Sequence, residues 1–169
     1  MEFNLEKRVW WEYLEEDLRE LLEQSCFLLD LFENRYRTNP DKRAEFHDYS
    51  FIVFPAAKAY EGFLKKVFLD LGFITREEYF GKHFRIGRAL NPSLEKIIRE
   101  RESVYDKVTA YCGGRQLADE LWETWKRSRN LTFHWFPGEV NAISFDEANS
   151  RLQMILQAMD ETFKECKIK

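Results

Sequence analysis

Residues 50–72 read Ser50-Phe-Ile-Val-Phe-Pro55-Ala-Ala-Lys-Ala-Tyr60-Glu-Gly-Phe-Leu-Lys65-Lys-Val-Phe-Leu-Asp70-Leu-Gly72. The stretch predicts a helix that opens near Ser50 or soon after, takes Pro55 in its first turn and stops at Gly72. Proline is tolerated early in a helix because the N–H it lacks would have no partner there, and glycine readily adopts the left-handed conformation that ends one. The segment is apolar enough to be the central helix of a bundle. Lys58, Glu61 and Lys65 fall three and four residues apart and share one face of it.

Working outward, the apolar residues Trp10, Leu14, Leu18, Leu21, Leu29 and Phe32 recur at three- and four-residue steps, which predicts one long amphipathic helix from Leu5 to about Phe32. Arg37 to Arg43 holds turn formers and charges and is expected to be an exposed loop. After Gly72, Thr75 and Glu78 form a capping-box pattern for a short helix ending by Gly81. Lys82 to Leu90 is expected to be irregular or briefly extended, and Asn91-Pro92 to start a further helical run. Gly113 and Gly114 break the chain before a helix from Arg115 to His134, closed by Pro137 and Gly138. Ser144 and Glu147 open the last helix, which continues through Phe163. The pattern is that of an all-α, single-domain bundle over residues 1–169, with about five main helices plus short ones.

Composition agrees with one core: the 169 residues are 44% hydrophobic, with fifteen Phe, seven Tyr and five Trp. The N-terminus lacks a basic segment followed by an apolar run, and no apolar stretch approaches eighteen residues, so a cytoplasmic protein with no membrane association is expected. Cys26, Cys112 and Cys166 are odd in number and far apart, with no zinc-type spacing. Reduced, mostly buried thiols are expected. A net charge of −4 excludes a broad electrostatic grip on nucleic acid, so any such contact must be local. Arg115, Lys126, Arg127 and Arg129 form one basic group, and Lys58, Lys65 and Lys66 another. No dinucleotide-binding or Walker glycine loop exists, and neither cofactor nor metal is expected.

The chemistry concentrates in Arg129-Asn-Leu-Thr-Phe-His134. A guanidinium forks onto phosphate oxygens, and imidazole carries protons near neutrality, so together they suffice to cleave RNA without a metal. The ribose 2′-hydroxyl would attack the adjacent phosphorus and leave a 2′,3′-cyclic phosphate and a 5′-hydroxyl. On a regular helix a five-residue step turns about 140°, so Arg129 and His134 share a wall only if the helix loosens, which Pro137 would favour. The fragment also has a purely structural reading, in which His134 is a hydrogen-bonded core histidine among Phe133, Trp135 and Phe136, and Arg129 pairs with a surface carboxylate. His47, beside Asp48, and His83 read as cap or surface residues.

The segment resembles the Arg-x(4–6)-His motif of HEPN-domain ribonucleases, in which a polar residue often follows the arginine. Phe54 to Lys66 is similar to the earlier helix of the C-terminal HEPN domain of RNase LS-type toxins, where a glutamate belongs to the active site. The resemblance covers roughly residues 50 to 136. It implies an all-helical bundle, catalytic Arg129 and His134, an orienting Asn130 and an assisting Glu61, with RNA contacts from Lys58, Lys65 and Lys126. It further implies a toxin or defence endoribonuclease acting as a homodimer, with an antitoxin protein as possible partner. The other reading is a non-catalytic HEPN-like module that binds a nucleotide or a partner. Two departures stand out. RNase LS-type toxins carry additional N-terminal domains, which are not expected in this chain, and Phe136 stands where HEPN toxins controlled by AMP transfer carry a tyrosine in His-x-Tyr.

Overall fold

The helix over Ser50–Asp70 (α2) buries most of its circumference, from Ile52 and Val53 through Ala59, Tyr60 and Phe63 to Val67 and Phe68, and leaves one stripe through Phe51, Phe54 and Lys58 exposed. A helix with so wide an apolar surface belongs at the centre of a bundle. A computed structural model of the chain describes residues 3–39, 41, 45–135, 137–138 and 141–168. Around α2 it places α1 (Glu16–Thr38), α3 (Arg76–Phe80), α4 (Ile86–Ala89), α5 (Lys96–Glu102), α6 (Val104–Tyr111), α7 (Gly114–Trp125) and α8 (Phe145–Glu165). The fold is all-α; α1 and α8 pack directly on α2, and α7 bridges α6 and α8.

Pro55 is the sixth residue of α2, one turn deeper than expected. The buried hydroxyl of Ser25 on α1 accepts the N–H of the next residue, Ala56, at 2.9 Å, so the break in local geometry is met by a tertiary hydrogen bond. The C-terminus follows expectation. Gly72 has φ +69°, Phe73 N–H donates to Phe68 O at 2.7 Å and Gly72 N–H to Leu69 O at 2.9 Å, the paired bonds of a Schellman ending.

The single helix expected from Leu5 to Phe32 is corrected at both ends. Residues 5–7 form a 3-10 turn, turns follow, and α1 runs from Glu16 to Thr38. The reason is Trp10, which is fully buried and must satisfy its indole N–H; it donates to Asp160 on α8 at 2.7 Å, and Arg8 pairs with the same carboxylate. The expected 37–43 loop therefore starts later, and its residues 40, 42 and 43 lie outside the described ones.

Thr75 and Glu78 make the expected capping box on α3, as do Ser144 and Glu147 on α8. Lys82 to Leu90 is not wholly irregular. It contains α4, whose Ile86 and Ala89 enter the core with Leu90. The run after Asn91 is split: Ser103 ends α5 and caps α6 by accepting the Asp106 N–H at 3.1 Å, and Arg99 forks onto the Asp106 carboxylate at 2.6 and 2.8 Å. Among the described residues no helix is long and apolar enough to cross a membrane.

The cysteine expectation is also corrected. Cys112, at the end of α6, is disulfide-bonded to Cys166, at the end of α8, across 54 positions of sequence. Linear separation hid a Cα–Cα distance of 4.4 Å. Only Cys26 is a free, buried thiol, and burial pushes its pKa up to about 12.

Candidate active site

α7 does not continue regularly to His134. From Lys126 to Asn130 the chain widens into a π-helical turn, closed by Leu131 N–H donating to Lys126 O at 2.9 Å, and His134 lies past it in the connection to α8. The expected helix from Arg115 to His134 is corrected accordingly: the loosening comes at Lys126, well before Pro137. Its causes are tertiary. The Arg127 carbonyl accepts both the Thr132 hydroxyl and the Arg151 guanidinium of α8, each at 2.5 Å, and Arg151 also donates to the Thr132 oxygen. Ser128 is fully buried beneath the turn. Burial lowers the Arg151 pKa, as for any cation taken from water. Widened turns of this kind are frequent at functional sites.

The π turn resolves the angular problem posed by a five-residue step. Arg129, Asn130 and His134 line one cleft of about 450 Å³, and Glu61 of α2 lines it too. Arg129 is half-buried, with its guanidinium 5.7 Å from the centre of the Trp125 ring, a cation–π arrangement. Asn130 and His134 are exposed, and the His134 carbonyl accepts the Asn141 side-chain N–H at 3.0 Å, which ties down the loop. Glu61 is half-buried and ion-paired to Lys65 at 3.2 Å. The structural reading of the hexapeptide fails on both counts: His134 is not in the core, and among the described residues no carboxylate pairs with Arg129.

The lysines assigned to RNA stand elsewhere. None of Lys58, Lys65 and Lys126 lines this cleft. Lys65 holds Glu61, Lys126 reaches Glu123 at 3.5 Å, and the exposed Lys58 sits 5.9 Å from the centre of the Phe54 ring. In their place come residues the sequence did not flag: Arg85, Arg88 and Asn91 at α4, and Trp122 and Trp125 of α7. Arg85 donates to the Lys82 and Phe84 carbonyls, and Arg88 forks onto Glu102 at 2.8 and 3.1 Å. The one available signal was Gly87 between the two arginines. A Cβ there would lie 2.5 Å from Trp125 Nε1, so glycine lets α4 close against the ring that carries Arg129.

His134 also borders a neighbouring cleft of about 580 Å³ with the exposed His47. There Asp48, not His47, performs the capping, accepting Ser50 N–H at 3.0 Å and Ile143 N–H at 3.1 Å and so clipping the approach to α8 onto the start of α2. Phe136 lies outside the described residues, so its position relative to His134 is not part of this geometry. Among the described residues no three His, Cys, Asp or Glu side chains converge as metal ligands would. No family model matches the chain, and no curated protein or solved structure does either.

Proposed function

We propose that the protein is a HEPN-type, metal-independent endoribonuclease, a toxin or defence effector that cuts RNA by attack of the 2′-hydroxyl on the adjacent phosphorus. The observation that carries the proposal is the convergence of Glu61, Arg129, Asn130 and His134 on one cleft whose other charged lining residues are Arg85 and Arg88. His134 exchanges the proton, Arg129 offsets the charge that gathers on the phosphoryl oxygens, and Asn130 orients the phosphate. Glu61, fixed by Lys65, positions the imidazole or the guanidinium. Cleavage needs a proton removed at one oxygen and another delivered to the leaving oxygen, so two copies of the motif across a two-fold axis complete the site. Exposed Trp135, Phe54 and Leu131 beside the motif supply apolar surface for that homodimer. An antitoxin protein would cover the same face.

The test is incubation of purified protein with total RNA in excess EDTA, followed by mass spectrometry of the fragment ends. Expected are 2′,3′-cyclic phosphates, lost by a factor of about a hundred or more in Arg129→Ala and in His134→Ala. Both variants should keep their stability within about 1–2 kcal/mol, because neither side chain is core. Cleavage that disappears with EDTA and returns with magnesium contradicts the mechanism. RNA binding without any cleavage supports the non-catalytic module instead.

A further inference from the structure

On the far side of α4 from the candidate active site lies a second, smaller cleft of about 190 Å³, and Arg85 and Arg88 line both. The second cleft adds Arg101 and Lys107, with the exposed His83 at its edge. Five Lys and Arg residues thus line the two clefts, Arg85, Arg88, Arg101, Lys107 and Arg129, against three acids, Glu61, Glu78 and Glu102. All three acids are engaged: Glu61 by Lys65, Glu78 by the N–H of Thr75, Glu102 by Arg88. This local surplus of positive charge sits in a chain whose net charge is −4.

The arginines are more telling than the sum. Among the described residues seven arginines are ion-paired to carboxylates, as expected where acids outnumber bases. Six others have no such pair, Arg37, Arg76, Arg85, Arg101, Arg129 and Arg151, and three of these line the two clefts: Arg85 meets only backbone carbonyls, Arg129 only an aromatic face, and the Arg101 side chain makes no hydrogen bond or ion pair. Half of the guanidiniums without a carboxylate partner thus gather around two adjoining clefts, a placement that side-chain pairing does not explain. Half-buried Trp122 in the first cleft and Phe84 in the second add aromatic side chains to the same linings. Cations together with aromatic side chains suit a single strand, whose phosphates meet the guanidiniums and whose bases stack.

We infer that the two clefts form one track for single-stranded RNA, running from Arg129 over α4 by way of Arg85 and Arg88 to Arg101. The inference rests on the ribonuclease reading, which it extends by a subsite for the strand leading away from the scissile phosphate. It also explains how an acidic protein holds a polyanion without the three lysines first assigned to RNA. An acidic peptide would engage the cations but leave the aromatic faces unused.

The experiment measures binding apart from cutting. A fluorescent twelve-nucleotide RNA with every 2′-hydroxyl methylated, which cannot be cleaved by 2′-attack, is titrated with the full chain at several salt concentrations. Arg101→Gln and Arg101→Glu are compared with the unaltered protein; the side chain is exposed and lacks partners, so the fold does not depend on it. Expected is a loss of affinity of about three- to tenfold for Arg101→Gln, larger for Arg101→Glu, and a shallower salt dependence by about 0.7 in the logarithmic slope, the value for one single-strand phosphate contact. A dinucleotide, too short to cross α4, should bind all three proteins alike. Unchanged affinity for the twelve-mer in both variants overturns the track while leaving the ribonuclease proposal intact. A protein that cuts no RNA but binds the twelve-mer with these dependences keeps the track and loses the catalytic reading. Poly-glutamate that displaces the twelve-mer at equal charge concentration overturns the track in favour of a peptide site.

Discussion

Gly87 is held in place by a single close approach, the 2.5 Å that an added Cβ would leave to Trp125 Nε1. Indole and backbone leave little room to yield, because α4 carries buried Ile86 on one side of the glycine and buried Ala89 on the other. Gly87→Ala should therefore destabilise the protein by about 1–3 kcal/mol, the usual cost of overpacking, as read by urea denaturation. It should also reduce RNA cleavage, because displacing Trp125 displaces the ring under Arg129. An alanine variant as stable and as active as the parent would show that the contact relaxes without cost and that Trp125 does not position the arginine. The same logic runs through Arg151, whose guanidinium holds the Arg127 carbonyl and the Thr132 hydroxyl on either side of the motif arginine.

Among the long helices, α8 is the one that starts on a capping box. Ser144 Oγ accepts Glu147 N–H at 3.2 Å while the Glu147 carboxylate accepts Ser144 N–H at 2.8 Å. The Ser144 backbone N–H, and after it the Ser144 hydroxyl, hold the Glu147 pKa below its ordinary value, so the folded state binds that proton less readily than the unfolded chain. The stability it contributes is complete above the ordinary carboxylate pKa and is lost as pH falls through the lowered one. Ser144→Ala, which keeps the backbone N–H, should cost about 0.5–2 kcal/mol at neutral pH. Glu147→Gln, which removes the titrating carboxylate, should flatten the acid limb of a stability–pH curve measured by denaturant titration between pH 7 and 3, and an acid limb of unchanged steepness in that variant would show that the carboxylate adds nothing to it. Because Ile143 is clipped to Asp48 and Asn141 to the His134 carbonyl, fraying of this helix start reaches the candidate site.

For the molecule as a whole, the Cys112–Cys166 bond joins the ends of α6 and α8 and closes a long loop. Loop-closure entropy for a separation of this size gives at most about 4 kcal/mol, and measured values for such bonds commonly fall at 2–4 kcal/mol. Urea unfolding with and without reductant should differ by that amount, and thiol titration of the unfolded chain should rise from one group to three on reduction. Identical midpoints in the two conditions would mean that packing of α7 and α8 alone fixes the helix ends. Since the candidate catalytic cleft takes its lining from α2, α4, α7 and the π turn, and not from α6 or α8, reduction should lower stability more than it lowers RNA cleavage.

Much of the architecture was legible along the chain. The apolar run of α2, its Gly72 ending and the two capping boxes depend on neighbours within a few residues, so local pattern carries them. The hexapeptide motif and Glu61 were also visible as residue types at a spacing. What pattern does not carry are effects that need a partner distant in sequence. Trp10 folds the N-terminal segment into turns because its indole reaches Asp160, and Pro55 sits inside α2 beside a hydrogen bond from Ala56 to Ser25 of another helix. Cys112 finds Cys166 only once α6 and α8 are packed. The site shows the same division. Arg129, Asn130 and His134 are neighbours in sequence that a regular helix would turn apart, and it is Arg151 and Thr132, bonded to the Arg127 carbonyl, that accompany the widened turn and bring all three to Glu61. Arg85 and Arg88 joined them from a stretch with no strong periodicity, because Gly87 allows α4 to close on Trp125. Local propensity and burial pattern set which helices form, whereas the chemistry of the cleft depends on contacts between elements far apart in the chain, which no short window of sequence contains.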